Sequence, residues 1–251
     1  MFLHKSMLQV WIQCPLQFKL LFTEGQPREV TYEMQLGSMF HEFAKDFFDY
    51  VDLKTARKCQ TLDEVKQVFR RLVLPEFPKV LRKLCVNFTS FEALRYWTLR
   101  KRGRLDLYMP IARELTVSDP QSLMAGTIDR IDRMEDGSLC IVEYKTGRPQ
   151  IRSVQRELAF YKILLENAQV YKSPINWLAI YNPTENKFYV KKFTDQLVRA
   201  TRRRIRQFWR ALERDEFEAK PGLHCTWCPV KHICPVVGGE QNEGDTEDTH
   251  A

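Results

Sequence analysis

No stretch of the 251-residue chain approaches the roughly 18 consecutive apolar residues that a membrane-spanning helix needs. The opening segment "MFLHKSMLQVWIQCPLQF" is interrupted by polar residues throughout and lacks the apolar core of a secretory leader. The expectation is therefore a cytoplasmic protein with no membrane partner. There is no internal repeat. Among seven cysteines there is only one C-x-x-C pair, and a reducing compartment argues against a disulfide framework. Lys and Arg are missing from the last 14 residues, "GGEQNEGDTEDTHA", which hold five acids and read as a disordered acidic tail (238–251). Without that tail the body carries 39 basic against 27 acidic residues, a charge near +12. Such a body favours a polyanionic partner, nucleic acid before a membrane surface.

What is present is a globular composition, 44% hydrophobic and 28% charged. Residues 1 to 24 read as helical, and Leu36, Phe40, Phe43, Ala44, Phe47 and Phe48 recur at helical spacing in a second helix carrying His41. Residues 52–104 are helical and basic and read as a helical insertion, with a capping-box spacing at Thr61 and Glu64. Strand patterns follow in "ARELTVSD", "LMAGTIDRIDRM" and "SLCIVEYKT", the last two joined by the turn "EDGS". A helix "VQRELAFYKILLENA", two strands ("INWLAIYN", "KFYVKKF") and a basic amphipathic helix over 195–214 complete the order. The fold class is α/β, a mixed sheet flanked by helices, with residues 1–237 as one domain.

The chemistry concentrates where the third strand ends in Glu143-Tyr144-Lys145. Side chains alternate along a strand, so Glu143 and Lys145 share a face. A tight hairpin brings Asp129 of "GTIDRID" beside Glu143, giving two hard oxygen ligands of the kind Mg²⁺ or Mn²⁺ prefers. Lys145 then places positive charge against a phosphate or orients the attacking water, a combination suited to phosphodiester hydrolysis.

In combination these motifs resemble the RecB-like branch of the PD-(D/E)XK nuclease superfamily. The matching pieces are Gly37 to His41 (G-x-x-x-H), Gly126 to Arg130 (G-x-I-D-R), Glu143 to Lys145, and Glu157 to Tyr161 on a helix, where the family has Q-x-x-x-Y. The resemblance implies His41, Asp129, Glu143 and the Tyr144 carbonyl as metal ligands. It implies Lys145, Glu143 and Asp129 as the catalytic set, and Tyr161, Glu157 and Arg130 on the substrate side. One position departs: Glu157 stands where the family has glutamine, unless Gln155 serves from half a turn away.

Cys225, Cys228 and Cys234 cluster near the C-terminus, and Cys14 lies near the N-terminus. Their spacing admits zinc, with His224 or His232 substituting, or an iron–sulfur cluster. One N-terminal and three C-terminal cysteines resemble the Cas-four type and AddB-type nucleases, in which such a set holds a 4Fe–4S cluster that ties the chain ends together. Cys59, Cys85 and Cys140 fall outside the pattern and read as buried thiols.

The arginines of the last helix (Arg199, Arg202, Arg203, Arg204, Arg206, Arg210 and Arg214) offer a phosphate-binding face, and Trp97, Tyr96 and Tyr161 are candidate stacking partners for unpaired bases. The resemblance thus implies a metal-dependent exonuclease on single-stranded DNA ends, in CRISPR adaptation with an integrase partner or in DNA repair and recombination. Helicase motifs are absent, so unwinding would need a helicase partner. The competing readings are a catalytically inactive DNA-binding or scaffold module that keeps fold and cluster, and a zinc-stapled regulatory protein.

Overall fold

Apolar periodicity and capping chemistry place most of the element boundaries. The computed structural model describes residues 1–27 and 30–238, so the expected acidic tail lies, from residue 239 onward, outside the described residues. The chain opens with α1 (Lys5–Gln13), α2 (Pro15–Phe18) and one π-helical turn (Lys19–Thr23). Next come α3 (Tyr32–Tyr50), α4 (Leu53–Lys58), α5 (Leu62–Arg70) and α6 (Lys79–Lys101). Three strands follow, β1 (Ala112–Asp119), β2 (Met124–Arg133) and β3 (Leu139–Tyr144). Then α7 (Ile151–Asn167), β4 (Ile175–Asn182), β5 (Lys187–Lys192) and α8 (Asp195–Glu213). Short 3-10 turns at Leu223–Trp227 and Lys231–Ile233 carry the C-terminal segment. Among the described residues no helix is long and apolar enough to cross a membrane.

The capping reading at α5 holds. Thr61 Oγ1 accepts the Glu64 N–H at 3.2 Å, and the Glu64 carboxylate reaches back to the Gln60 N–H at 2.8 Å. Two otherwise unpaired donors at the helix start are thereby satisfied.

The five strands form one mixed sheet in sequence order. β1–β2, β2–β3 and β4–β5 pair antiparallel, and β3–β4 pairs parallel. A parallel pair needs a crossover, which α7 supplies. Every residue of β3 is buried, as expected of a strand covered on both faces.

The described residues divide into two compact units, 1–5 with 30–203, and 6–27 with 204–238. In the first, Phe88 of α6 meets Phe40 and Phe47 of α3 at 5.7 and 5.3 Å and Tyr144 of β3 at 5.8 Å, all edge-on. Phe91 stacks on Tyr181 of β4 at 4.4 Å. The helices of the 52–104 segment therefore share a core with α3 and the sheet. Cys59, Cys85 and Cys140 are buried there.

In the second unit Phe18 is fully buried. Its ring and that of Trp11 both meet Phe208 edge-on, at 5.0 and 5.8 Å, and Phe18 stacks on Phe217 at 5.9 Å. Leu20, Leu21 and Val230 form a further apolar cluster with Cys228 against it. The N-terminal helices, the end of α8 and the cysteine segment are thus packed together by apolar burial.

Candidate active site

The β2–β3 ladder ends at Arg130↔Val142, one residue short of Asp129 and Glu143. Beyond it a side chain replaces the backbone as acceptor: Tyr144 N–H donates to Asp129 Oδ2 at 2.7 Å. That bond orients the Asp129 carboxylate and leaves its other oxygen to face α3.

There His41 Nδ1 lies 3.5 Å from Asp129 Oδ1 and 3.4 Å from Glu114 Oε1. α3 is fixed at its start by Thr31, whose hydroxyl accepts the Met34 N–H. Burial disfavours a charge on His41, but the hydrogen bonds and charges of Asp129 and Glu114 outweigh it and push its pKa up to about 10. The imidazole therefore carries a proton at neutral pH, held between two carboxylates. An imidazole ligates a metal only when neutral, so a divalent cation held here would require His41 to give up that proton.

Glu114 was not singled out in the sequence. It lies on β1 between the paired residues Arg113↔Arg130 and Leu115↔Ile128, in register with Asp129. Its φ of 43° is left-handed, costly for a residue with a β-carbon. One ligand atom each from His41, Glu114 and Asp129 lies within 4.8 Å of the others. An open cleft of about 630 Å³, lined by residues including His41, Glu114, Thr116 and Thr127, reaches this trio.

Glu143 belongs to a second cluster. Its Oε1 takes Lys145 Nζ at 2.8 Å and also pairs with Lys5. Lys145 reaches Glu157 Oε2 at 2.9 Å. The attraction of Glu143 and Glu157 outweighs burial and holds the Lys145 ammonium above its usual pKa. Glu143 Oε2 is buried without a hydrogen-bond partner, and Glu114 Oε1 has only the His41 ring beside it, at 3.4 Å. Unpaired buried carboxylate oxygens are costly. The Glu114 and Asp129 carboxylates with the His41 imidazole between them are a donor set that a hard divalent cation would satisfy. The residues fit a metal.

Glu157 and Gln155 meet different neighbours. Glu157 faces Lys145, whereas Gln155 points to β5, where Lys191 donates to its Oε1 at 3.1 Å and its amide meets Tyr189 Oη at 3.4 Å.

Tyr161 and Gly126 form a pair. A β-carbon at Gly126 would sit 2.7 Å from the Tyr161 ring, so only glycine lets the ring lie on β2. The Tyr161 hydroxyl donates to the Thr127 carbonyl, and the side chain is buried. Arg130 is also interior, 2% exposed, with its guanidinium on Glu92 at 2.6 Å and on both Asp132 oxygens at 2.7 Å. In this structure both residues brace the strand that carries Asp129.

The family model for the PD-(D/E)XK nuclease superfamily matches residues 5–235, nearly the whole chain. The chain belongs to the PD-(D/E)XK nuclease superfamily. No curated protein is significantly similar to it. The mixed sheet with flanking helices is the fold this superfamily membership calls for, and membership carries with it metal-dependent nuclease chemistry on DNA. For a superfamily member the Asp129, Glu143 and Lys145 arrangement has the sequence order of the motif that names the group.

Proposed function

We propose that this nuclease is a metal-dependent exonuclease acting on single-stranded DNA ends, with a 4Fe–4S cluster held by Cys14, Cys225, Cys228 and Cys234. The observation that carries the hydrolytic reading is the trio His41, Glu114 and Asp129 beside a Glu143–Lys145 pair at the point where β2 and β3 part. His41, Glu114, Asp129 and Glu143 would hold a Mg²⁺ or Mn²⁺ ion, with the Tyr144 carbonyl as a further donor. When bound, that ion supplies Lewis-acid stabilisation of the charge developing on the phosphate. Lys145 keeps a fixed ammonium beside the same charge and orients the attacking water, and Glu157 fixes that ammonium in place.

Four features of the cysteine segment support the cluster. Burial first, and then the charges of Cys14, Cys225 and Cys234, raise the Cys228 pKa, so these three sulfurs lie within electrostatic reach of Cys228. Lys220 N–H points at Cys14 Sγ at 3.5 Å, and Gly222 N–H at Cys225 Sγ at 3.4 Å. Val230 N–H favours the Cys228 thiolate. Amide donors aimed at sulfur stabilise ligating thiolates and tune a cluster's potential. The cluster's part is structural.

Substrate would meet the exposed arginines of α8, among them Arg199, Arg203, Arg206 and Arg210. The role we assign is trimming of DNA ends in repair or recombination, or in CRISPR adaptation beside an integrase, with a helicase partner where duplex must be opened. The competing inactive-scaffold reading leaned on Glu157, which pairs with Lys145 at 2.9 Å.

The test is anaerobically purified protein with Mn²⁺ on linear and circular single-stranded DNA, with a visible spectrum of the same sample. The expected result is degradation of linear DNA alone and a brown chromophore that Cys14→Ser loses. Cleavage of the circle overturns the exonuclease reading. A colourless, zinc-loaded protein overturns the iron–sulfur one.

A further inference from the structure

Lys5 enters the site from outside every motif that identifies the family. Two residues before it, Leu3 is fully buried and bridges β2 in parallel at Met124. Leu3 N–H donates to the Leu123 carbonyl at 2.7 Å, and Ala125 N–H donates to the Leu3 carbonyl at 3.0 Å. This bridge fixes where the chain stands when it reaches Lys5.

The Lys5 side chain is about a fifth exposed, at 21%. Its ammonium pairs with Glu143 Oε1, lies 3.7 Å from Glu157 Oε2, and sits 4.7 Å from the centre of the Tyr161 ring. Lys145 spans the same two oxygens at 2.8 and 2.9 Å. Two carboxylates and two ammoniums thus form a charge-balanced square. The carboxylate at 157 and the lysine at 5 compensate one another's charge.

A carboxylate pair close enough to share an ammonium is also close enough to share a divalent cation, whose preferred partners are such oxygens. In two-metal hydrolytic sites the second ion stands about 3.5–4 Å from the first, across a bridging carboxylate. Glu143 has the bridging form, with Oε1 tied to the two lysines and Oε2 left unpartnered. We propose that the Lys5 ammonium occupies the place at which Glu143 and Glu157 would otherwise hold a second divalent ion, so that this nuclease works with one metal ion and a built-in cation.

The inference rests on the metal-dependent nuclease reading, and its test separates the two. Full-length protein is dialysed to equilibrium against Mn²⁺, bound manganese is counted per chain, and the Mn²⁺ dependence of DNA hydrolysis is followed in parallel. Wild type is expected to bind one Mn²⁺, with a hyperbolic dependence of rate on metal. Lys5→Met is expected to bind two, with a sigmoidal dependence, because two carboxylates then face a single ammonium. Lys5→Gln provides the same count if the methionine variant does not fold. Lys5→Met/Glu157→Gln is expected to return to one, and Lys5→Arg to stay at one.

A wild type that binds two ions, or Lys5 variants that still bind one, overturns the role assigned to Lys5 and leaves the nuclease reading standing. A wild type that binds no Mn²⁺ and cuts no DNA overturns both.

Discussion

Replacement of Lys145 by alanine is expected to slow DNA hydrolysis by about 10²–10³-fold, the usual cost of removing one preorganised charge from a developing oxyanion. The fold should survive the change. Lys145 is partly exposed, and Lys5 remains within reach of Glu143 and Glu157, so neither carboxylate is left with no cation. The loss should therefore appear in the maximal rate at saturating Mn²⁺ and saturating DNA, with the midpoint of thermal unfolding nearly unchanged. Lys145→Arg is expected to recover little, because a planar guanidinium cannot take the place of a compact ammonium between two oxygens less than 3 Å away. A Lys145→Ala protein that cuts DNA within a few-fold of wild type would remove this residue from the chemistry.

The largest effect on stability is expected at Arg130, which never meets solvent. Its guanidinium takes Glu92 and Asp132 at 2.6–2.7 Å, and Arg95 adds contacts at 3.1 Å to Glu92 and 3.4 Å to Asp132. Arg130→Met leaves Glu92, fully buried, with Arg95 alone. Breaking a buried pair from one side costs about 3–5 kcal/mol, because a buried charge is left uncompensated. For a chain of this size that lowers the unfolding midpoint by roughly 10 °C.

The same network predicts a pH dependence. Burial would raise the Asp132 pKa, but Arg130 and Arg95 together hold it below the ordinary 3.8. A depressed carboxylate contributes stability that is complete above its unfolded value and is lost as pH falls through its folded value. Wild type should therefore lose stability below about pH 4 through this group, by the same linkage. In Arg130→Met, where Arg95 alone opposes burial, the folded value moves up toward the unfolded one, and the acid loss through this group should be smaller. Equal acid profiles for the two proteins would contradict the assignment.

The five strands and the main helices were legible from residue pattern, because alternation and helical spacing are local properties. Asp129, Glu143 and Lys145 were singled out by their place on strands, and His41 only through the family resemblance. Glu114 was not. A single carboxylate in "ARELTVSD" has no local signature, and its meaning arises only when β1 pairs with β2 and sets it in register with Asp129. Lys5 was illegible for the same reason at longer range. It reaches the site because Leu3 bridges Met124, more than a hundred residues away.

The departure at Glu157 was visible, but its neutralisation by two lysines was not, since one of them comes from the N-terminus. Residues 52–104 read as helical and basic, with no partner for their apolar positions visible in the sequence. In the structure the apolar side of α6 carries Phe88 and Phe91 onto β3 and β4 and buries Glu92 against Arg130. Amphipathic spacing identifies such a helix without saying which surface its apolar face will meet.

The central claim, a metal-dependent hydrolytic centre built on His41, Glu114, Asp129 and Glu143, is tested most directly by titrating Mn²⁺ into wild-type protein and single-stranded DNA and measuring released nucleotides. The account predicts no release in chelator, a saturable rise with metal, and its collapse in Asp129→Asn. Release that ignores the chelator, or DNA that stays intact while protein, Mn²⁺ and DNA are shown to be bound together, would contradict it.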